Sequence, residues 1–152
     1  MSQDPRQGWP DRVGTELGLS AWHEITQERV NLFAEATGDH QWIHVNPELA
    51  RQGPFGGPIA HGYLTLSMLP MLLGELIRSQ GVALAVNYGL NRVRFTSPVP
   101  VGARVRAVAS LKEVEEVSGG VQLVLAVRVE IEGQEKPALV AETITRLYSA
   151  PA

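Results

Sequence analysis

Asp39 and His44 stand five residues apart in FAEATGDHQWIHVNPELARQGPFGGPIAHG, the stretch from Phe33 to Gly62. A carboxylate and an imidazole held close together can bind one water molecule and move protons to and from it. At the far end of the stretch, His61-Gly62 opens a long apolar run. A backbone N–H at the start of a helix can receive the oxygen that gains negative charge as such a water attacks. Hydration or dehydration chemistry needs both parts. Taken singly, these residues say little: Gly-Asp after a helix is ordinary turn chemistry, and a lone His is more often solvated or packed than reactive.

The elements that must position them are legible on either side. Thr26 reads as the N-cap of an amphipathic helix from Gln27 to about Ala36, and Gly38 ends it. Asp39 to Val45 reads as irregular chain. Asn46-Pro47 then looks like the start of a short helix that stops by Gly53, followed by a Gly/Pro-rich loop carrying Phe55. From Ile59 to about Ser79 the pattern is helical and apolar nearly all round, so it should be buried on most sides, with a kink at Pro70.

The second half changes period. Leu84–Phe95, Arg104–Val117, Val121–Glu132 and Ala138–Tyr148 favour alternation of two, with hairpin-like turns at Ser118-Gly119-Gly120 and Gly133-Gln134. Val121, Leu123, Leu125, Val127, Val129 and Ile131 share one face. An antiparallel sheet with one covered face and one long apolar helix to cover it is an α+β, hot-dog arrangement. Residues 1–19 read as a mobile arm and 20–150 as the single domain.

The 152 residues suit one domain. A net charge of −3 with no cluster of Lys or Arg excludes the usual nucleic-acid footprint. The absence of Cys removes disulfides, Cys-based zinc sites and a thiol nucleophile, and fits a cytoplasmic protein. The longest apolar run is too short for the roughly 20 residues of a membrane span, and the N-terminus lacks the apolar core of a signal peptide.

On these residues the sequence resembles the MaoC-like dehydratases, which include the (R)-specific enoyl-CoA hydratases. The signature residues are Phe33, Thr37, Gly38, Asp39, His44 and Ala50. The likeness continues through Ile59-Ala60-His61-Gly62 and the run Phe95 to Gly102, and covers about Trp22 to Tyr148. NYGLNRVRF and GDHQWIH look most like the nodulation-protein-N-like branch. Gln41 and Trp42 stand where many hydratases have Asn and Pro, and Pro70 where some have Ser.

The resemblance implies that Asp39 and His44 hold the water that adds to a trans-2-enoyl thioester, with the Gly62 N–H on the thioester oxygen. It implies no metal and no cofactor, coenzyme A entering only as part of the substrate. It also implies a homodimer joined edge to edge. Gln41, Trp42, Phe55, His61, Tyr88 and Asn91 are further candidates for the substrate pocket, Trp42 as a cap on it. His61 reads first as a helix-start hydrogen bonder, and His23 and His40 as solvated. Arg92 and Arg94 read as a solvated strand face. The leading expectation is hydration of 2-enoyl-CoA to (R)-3-hydroxyacyl-CoA. Its alternatives are dehydration of a carrier-protein or branched thioester, and a non-catalytic module that binds an acyl thioester.

Overall fold

The computed structural model describes residues 4–77 and 81–149. In chain order they form β1 (Glu16–Leu19), β2 (His23–Glu24), α1 (Gln27–Thr37), α2 (Trp42–Val45), α3 (Pro47–Arg51), α4 (Gly62–Ser67), α5 (Leu69–Gly74), β3 (Val82–Phe95), β4 (Arg104–Val117), β5 (Gly120–Ile131) and β6 (Leu139–Ser149). The strands make one antiparallel sheet in the order β1-β4-β5-β6-β3, with β2 also on β4. Among the described residues no helix is long and apolar enough to cross a membrane.

Alternation decides which face is covered. Val121, Leu123, Leu125, Val127, Val129 and Ile131 of β5 are all buried, as are Val105, Ala107, Ala109 and Leu111 of β4. They share one core with Leu64, Met68, Leu69, Leu72 and Leu73 of α4 and α5. Register shifts in β3–β6 and β4–β5 add extra residues to one strand, which bends the sheet over the helices. This is the hot-dog fold.

The β4–β5 hairpin closes on Ser118-Gly119, with Gly119 at φ +78. A side chain at Gly120 would fall on the carbonyl oxygen of Leu147. Gly120→Ala is therefore expected to cost about 1–3 kcal/mol, read by chemical denaturation, because only the backbone of β6 could yield. An unchanged denaturation midpoint would show that the hairpin has slack there.

Three expectations are corrected. The apolar helix is not continuous from Ile59. Residues 59–60 are extended, with Ile59 bridged to Pro100 and the Ala60 N–H donating to Val99, so α4 begins only at Gly62. As expected from Pro70, which has no N–H for the Leu66 carbonyl, the helix is interrupted, at Met68. α5 ends at Gly74, and the expected last residues reach the undescribed positions 78–80. Nor is it buried on most sides, since Tyr63, Ser67, Pro70, Met71 and Gly74 are exposed. The sheet of one chain covers one side only.

The third correction is the arm. Trp9 is 2% exposed and belongs to the core, Leu17 packs against it, and β1 pairs with β4. From Trp9 onward the segment is part of the fold.

Candidate active site

Local chain geometry brings Asp39 and His44 together. The Thr26 side chain caps α1 by accepting the Arg29 N–H, and Gly38 ends that helix at φ +83, its N–H donating to Ala34. Asp39 then starts a tight turn in which its Oδ1 accepts the Gln41 N–H at 3.3 Å. The residues that follow form a single helical turn, α2, where irregular chain was expected. That turn places His44 inward, 7% exposed, while Asp39 stays half-exposed.

The state of His44 follows from its neighbours. Its Nδ1 lies 2.7 Å from the Ile59 carbonyl oxygen. A carbonyl only accepts, so Nδ1 carries the proton and Nε2 of the neutral ring keeps its lone pair. Burial lowers the pKa of His44 from its ordinary 6.5; the Ile59 hydrogen bond opposes this, His61 adds to it, and the Asp39 charge opposes it. The ring is a neutral base near pH 7.

That shift fixes a sign. The folded state takes up the His44 proton less readily than the unfolded chain. This stability is full above about pH 6.5 and is lost as pH falls from there through the lower folded value. An NMR titration of His44 is expected to show a midpoint below 6.5, and Asp39→Asn should move it lower still by removing a charge that favours the cation. A midpoint above 6.5 would overturn this reading of the site.

His61 completes the cluster. Its ring stacks on that of His44 at 3.9 Å and 25°, and the Phe33 ring packs tilted against it at 4.9 Å. It holds the N-cap position of α4 but makes no side-chain cap bond, contrary to expectation. Its Nε2 instead donates to the Asp39 backbone oxygen at 2.9 Å, leaving Nδ1 buried without a partner. Potential ligand atoms of Asp39, His44 and His61 lie within 4.8 Å of one another.

A cavity of about 330 Å³ opens beside His44, lined also by Phe55, Gly62, Thr65, Phe95 and Ser97. The Gly62 N–H has no acceptor among the described residues, and the Phe95 ring lies 3.0 Å from where a Gly62 side chain would begin. Any side chain there would displace Phe95. A second cleft of about 240 Å³ lies between the exposed side of α4 and α5 and the strands β3 and β6, with Leu66, Leu69, Leu90 and Thr143 among its walls.

Of the sequence candidates, Asp39, His44, His61, Gly62 and Phe55 are brought together. Gln41 gives the turn its N–H. The ring of Trp42 lies on Gly53, 2.8 Å from where a side chain there would begin, and is not among the residues lining this cavity. Tyr88 sits under the Arg146 guanidinium at 3.6 Å, and Asn91 donates to Glu142 at 2.7 Å; neither lines that cavity. His40 is solvated beside Glu35, whereas His23 is half-buried against Glu75. Thr65 and the Ile59 carbonyl were missed. Thr65 could have been found, one helical turn past Gly62.

This fold and site define a class. A family model described as "MaoC like domain" matches residues 9–133, and the chain belongs to the MaoC-like dehydratases. It is accordingly a hydro-lyase. It is 59% identical over 135 residues to the 3-hydroxyacyl-thioester dehydratase Z of Mycobacterium tuberculosis, covering 88% of this chain and 89% of that protein. It is 47% identical over 146 residues to nodulation protein N of Rhizobium leguminosarum bv. viciae, covering 93% and 90%. Among solved structures, the (R)-hydratase from A. caviae involved in PHA biosynthesis superposes with a TM-score of 0.74. Its identity is 26%, over 89% of this chain and 96% of that one.

Proposed function

We propose that the chain catalyses the reversible hydration of a trans-2-enoyl-CoA to the (R)-3-hydroxyacyl-CoA. The carrying observation is a neutral imidazole whose Nδ1 is fixed on a backbone carbonyl, leaving Nε2 free, on a residue that has a ring nitrogen within 4.8 Å of the Asp39 carboxylate and lines one cavity with Gly62. His44 and Asp39 hold a water between them. As its oxygen bonds to C3, His44 Nε2 takes a proton, and the enolate oxygen of the thioester accepts from the Gly62 N–H. A proton returned to C2 by the same pair completes the addition, and the reverse path releases water. Acid–base groups and hydrogen bonds suffice, so no metal or cofactor is part of the reading. A chain without Cys suits a cytoplasmic setting.

The working unit in this proposal is a homodimer joined through β3. That strand ends the sheet, and Leu84, Val86, Tyr88 and Leu90 on it are exposed next to the exposed apolar side of α4 and α5. A long apolar edge of this kind invites pairing with a second copy. A crotonyl-CoA assay, following loss of the enoyl absorbance, tests the activity. Turnover supports it; no turnover with crotonyl or longer enoyl-CoA substrates would overturn it.

A further inference from the structure

The helical hydroxyls behave unequally. The Thr37 hydroxyl donates to the Phe33 carbonyl at 2.7 Å, and that of Ser67 to the Tyr63 carbonyl at 2.6 Å, each one turn back along its own helix. Thr65 has no such bond. The carbonyl it would use, that of His61, already accepts the Leu64 and Thr65 N–H groups. Thr65 is 2% exposed, and its Oγ1 is buried with no partner. An enclosed hydroxyl left unpaired costs about 1–3 kcal/mol, so a helix position that could hold Val or Ala without this cost calls for a reason.

The surroundings supply one. Thr65 lines the same cavity as His44 and Gly62, and three residues of helix place it directly above Gly62 on one face. A thioester that reaches both the Gly62 N–H and His44 therefore lies against Thr65. The thioester oxygen accepts from Gly62 and keeps one lone pair, but a bond there would be made by enoyl and 3-hydroxyacyl thioesters alike, and the thioester sulfur is a weak acceptor. The oxygen on C3 gives its proton to His44 and keeps a lone pair free.

We propose that Thr65 touches the substrate, its hydroxyl donating to the oxygen carried at C3 of the acyl chain. This rests on the hydratase reading above. It adds a third hydrogen bond to the reacting oxygen, one that the 3-hydroxyacyl thioester makes and the enoyl thioester does not.

Thr65→Val keeps the shape and removes the hydroxyl; Thr65→Ser keeps the hydroxyl. The Val variant is expected to raise KM for 3-hydroxybutyryl-CoA about 10-fold, the worth of one hydrogen bond, while KM for crotonyl-CoA moves less than about threefold. Because the reaction's equilibrium constant is fixed, kcat for hydration must then fall by a similar factor relative to kcat for dehydration. The Ser variant should restore both. The melting temperature of the Val variant should equal or exceed that of the wild type, since an unpaired polar atom has been removed. Equal changes in both KM values, or none, would overturn the proposal, as would a lower melting temperature with activity per folded molecule unchanged. A wild type without turnover would sink the hydratase reading instead. Calorimetric titration of the two thioesters into wild type and Thr65→Val would then still decide whether Thr65 discriminates between them.

Discussion

Asp39→Asn and His44→Ala are each expected to lower kcat for hydration by at least about 10²-fold, with KM much less affected. The Asn keeps the size of the carboxylate and its bond to the Gln41 N–H, so the turn survives while the charge is lost. Removing the imidazole deletes the one ring among the described residues that both neighbours that carboxylate and lines the cavity. Under the proposed mechanism both groups act on one water in one step, so the double variant should be scarcely worse than the poorer single. Structural roles alone make the opposite forecast. A turn Asp and a packed His would lower the melting temperature and leave activity per folded molecule near normal. Measuring kcat beside a melting curve for the three variants separates the two, and full turnover by either well-folded single variant would remove the mechanism.

The second large effect concerns assembly. Leu90 is exposed on β3 and forms part of the wall of the cleft against α4 and α5. Its replacement by Asp should leave the single chain folded, because water already reaches the position. Placed in an edge-to-edge interface, the same carboxylate would be desolvated without a partner, a cost that typically outweighs the rest of such a contact. Light scattering should therefore find a dimer for the wild type and a monomer for Leu90→Asp. Phe95, half-exposed at the end of β3, also borders the cavity beside His44, so activity should fall at least about tenfold with the dimer. A wild type that is monomeric and fully active would end the proposal.

Much of this molecule was legible in its sequence, for a physical reason that also marks the limit. Strand β4 has the bounds that alternation predicts, Arg104–Val117, and the six alternating apolar residues of β5 are all buried. A period of two is a local signal, and it survives folding because one face must be covered. Asp39 and His44 were legible as a pair because five residues and a glycine-ended helix bring them together without help from distant chain. The misses are long-range. Trp9 and β1 were assigned to an arm because their partner strand lies near residue 110, and nothing in a polar segment with one Trp announces that pairing. Trp42 adjoins the site in sequence, but the turn that buries His44 sends Trp42 the other way, onto Gly53. His61 was found, but its bond to the Asp39 carbonyl was not, since a backbone acceptor has no signature in the amino-acid letters.

Those backbone acceptors bear on how the site tolerates change. The tautomers of His44 and His61 are set by the carbonyls of Ile59 and Asp39, and every amino acid carries a carbonyl. Drift at position 59 therefore leaves the imidazole aimed as before, provided the residue keeps the N–H that donates to Ile43. Of the twenty residue types only proline lacks it. In a saturation library, position 44 should accept no substitute, while position 59 should be limited by side-chain packing and by proline. The orientation of the base is inherited from the path of the chain, and selection on the loop's route, more than on its letters, would preserve it.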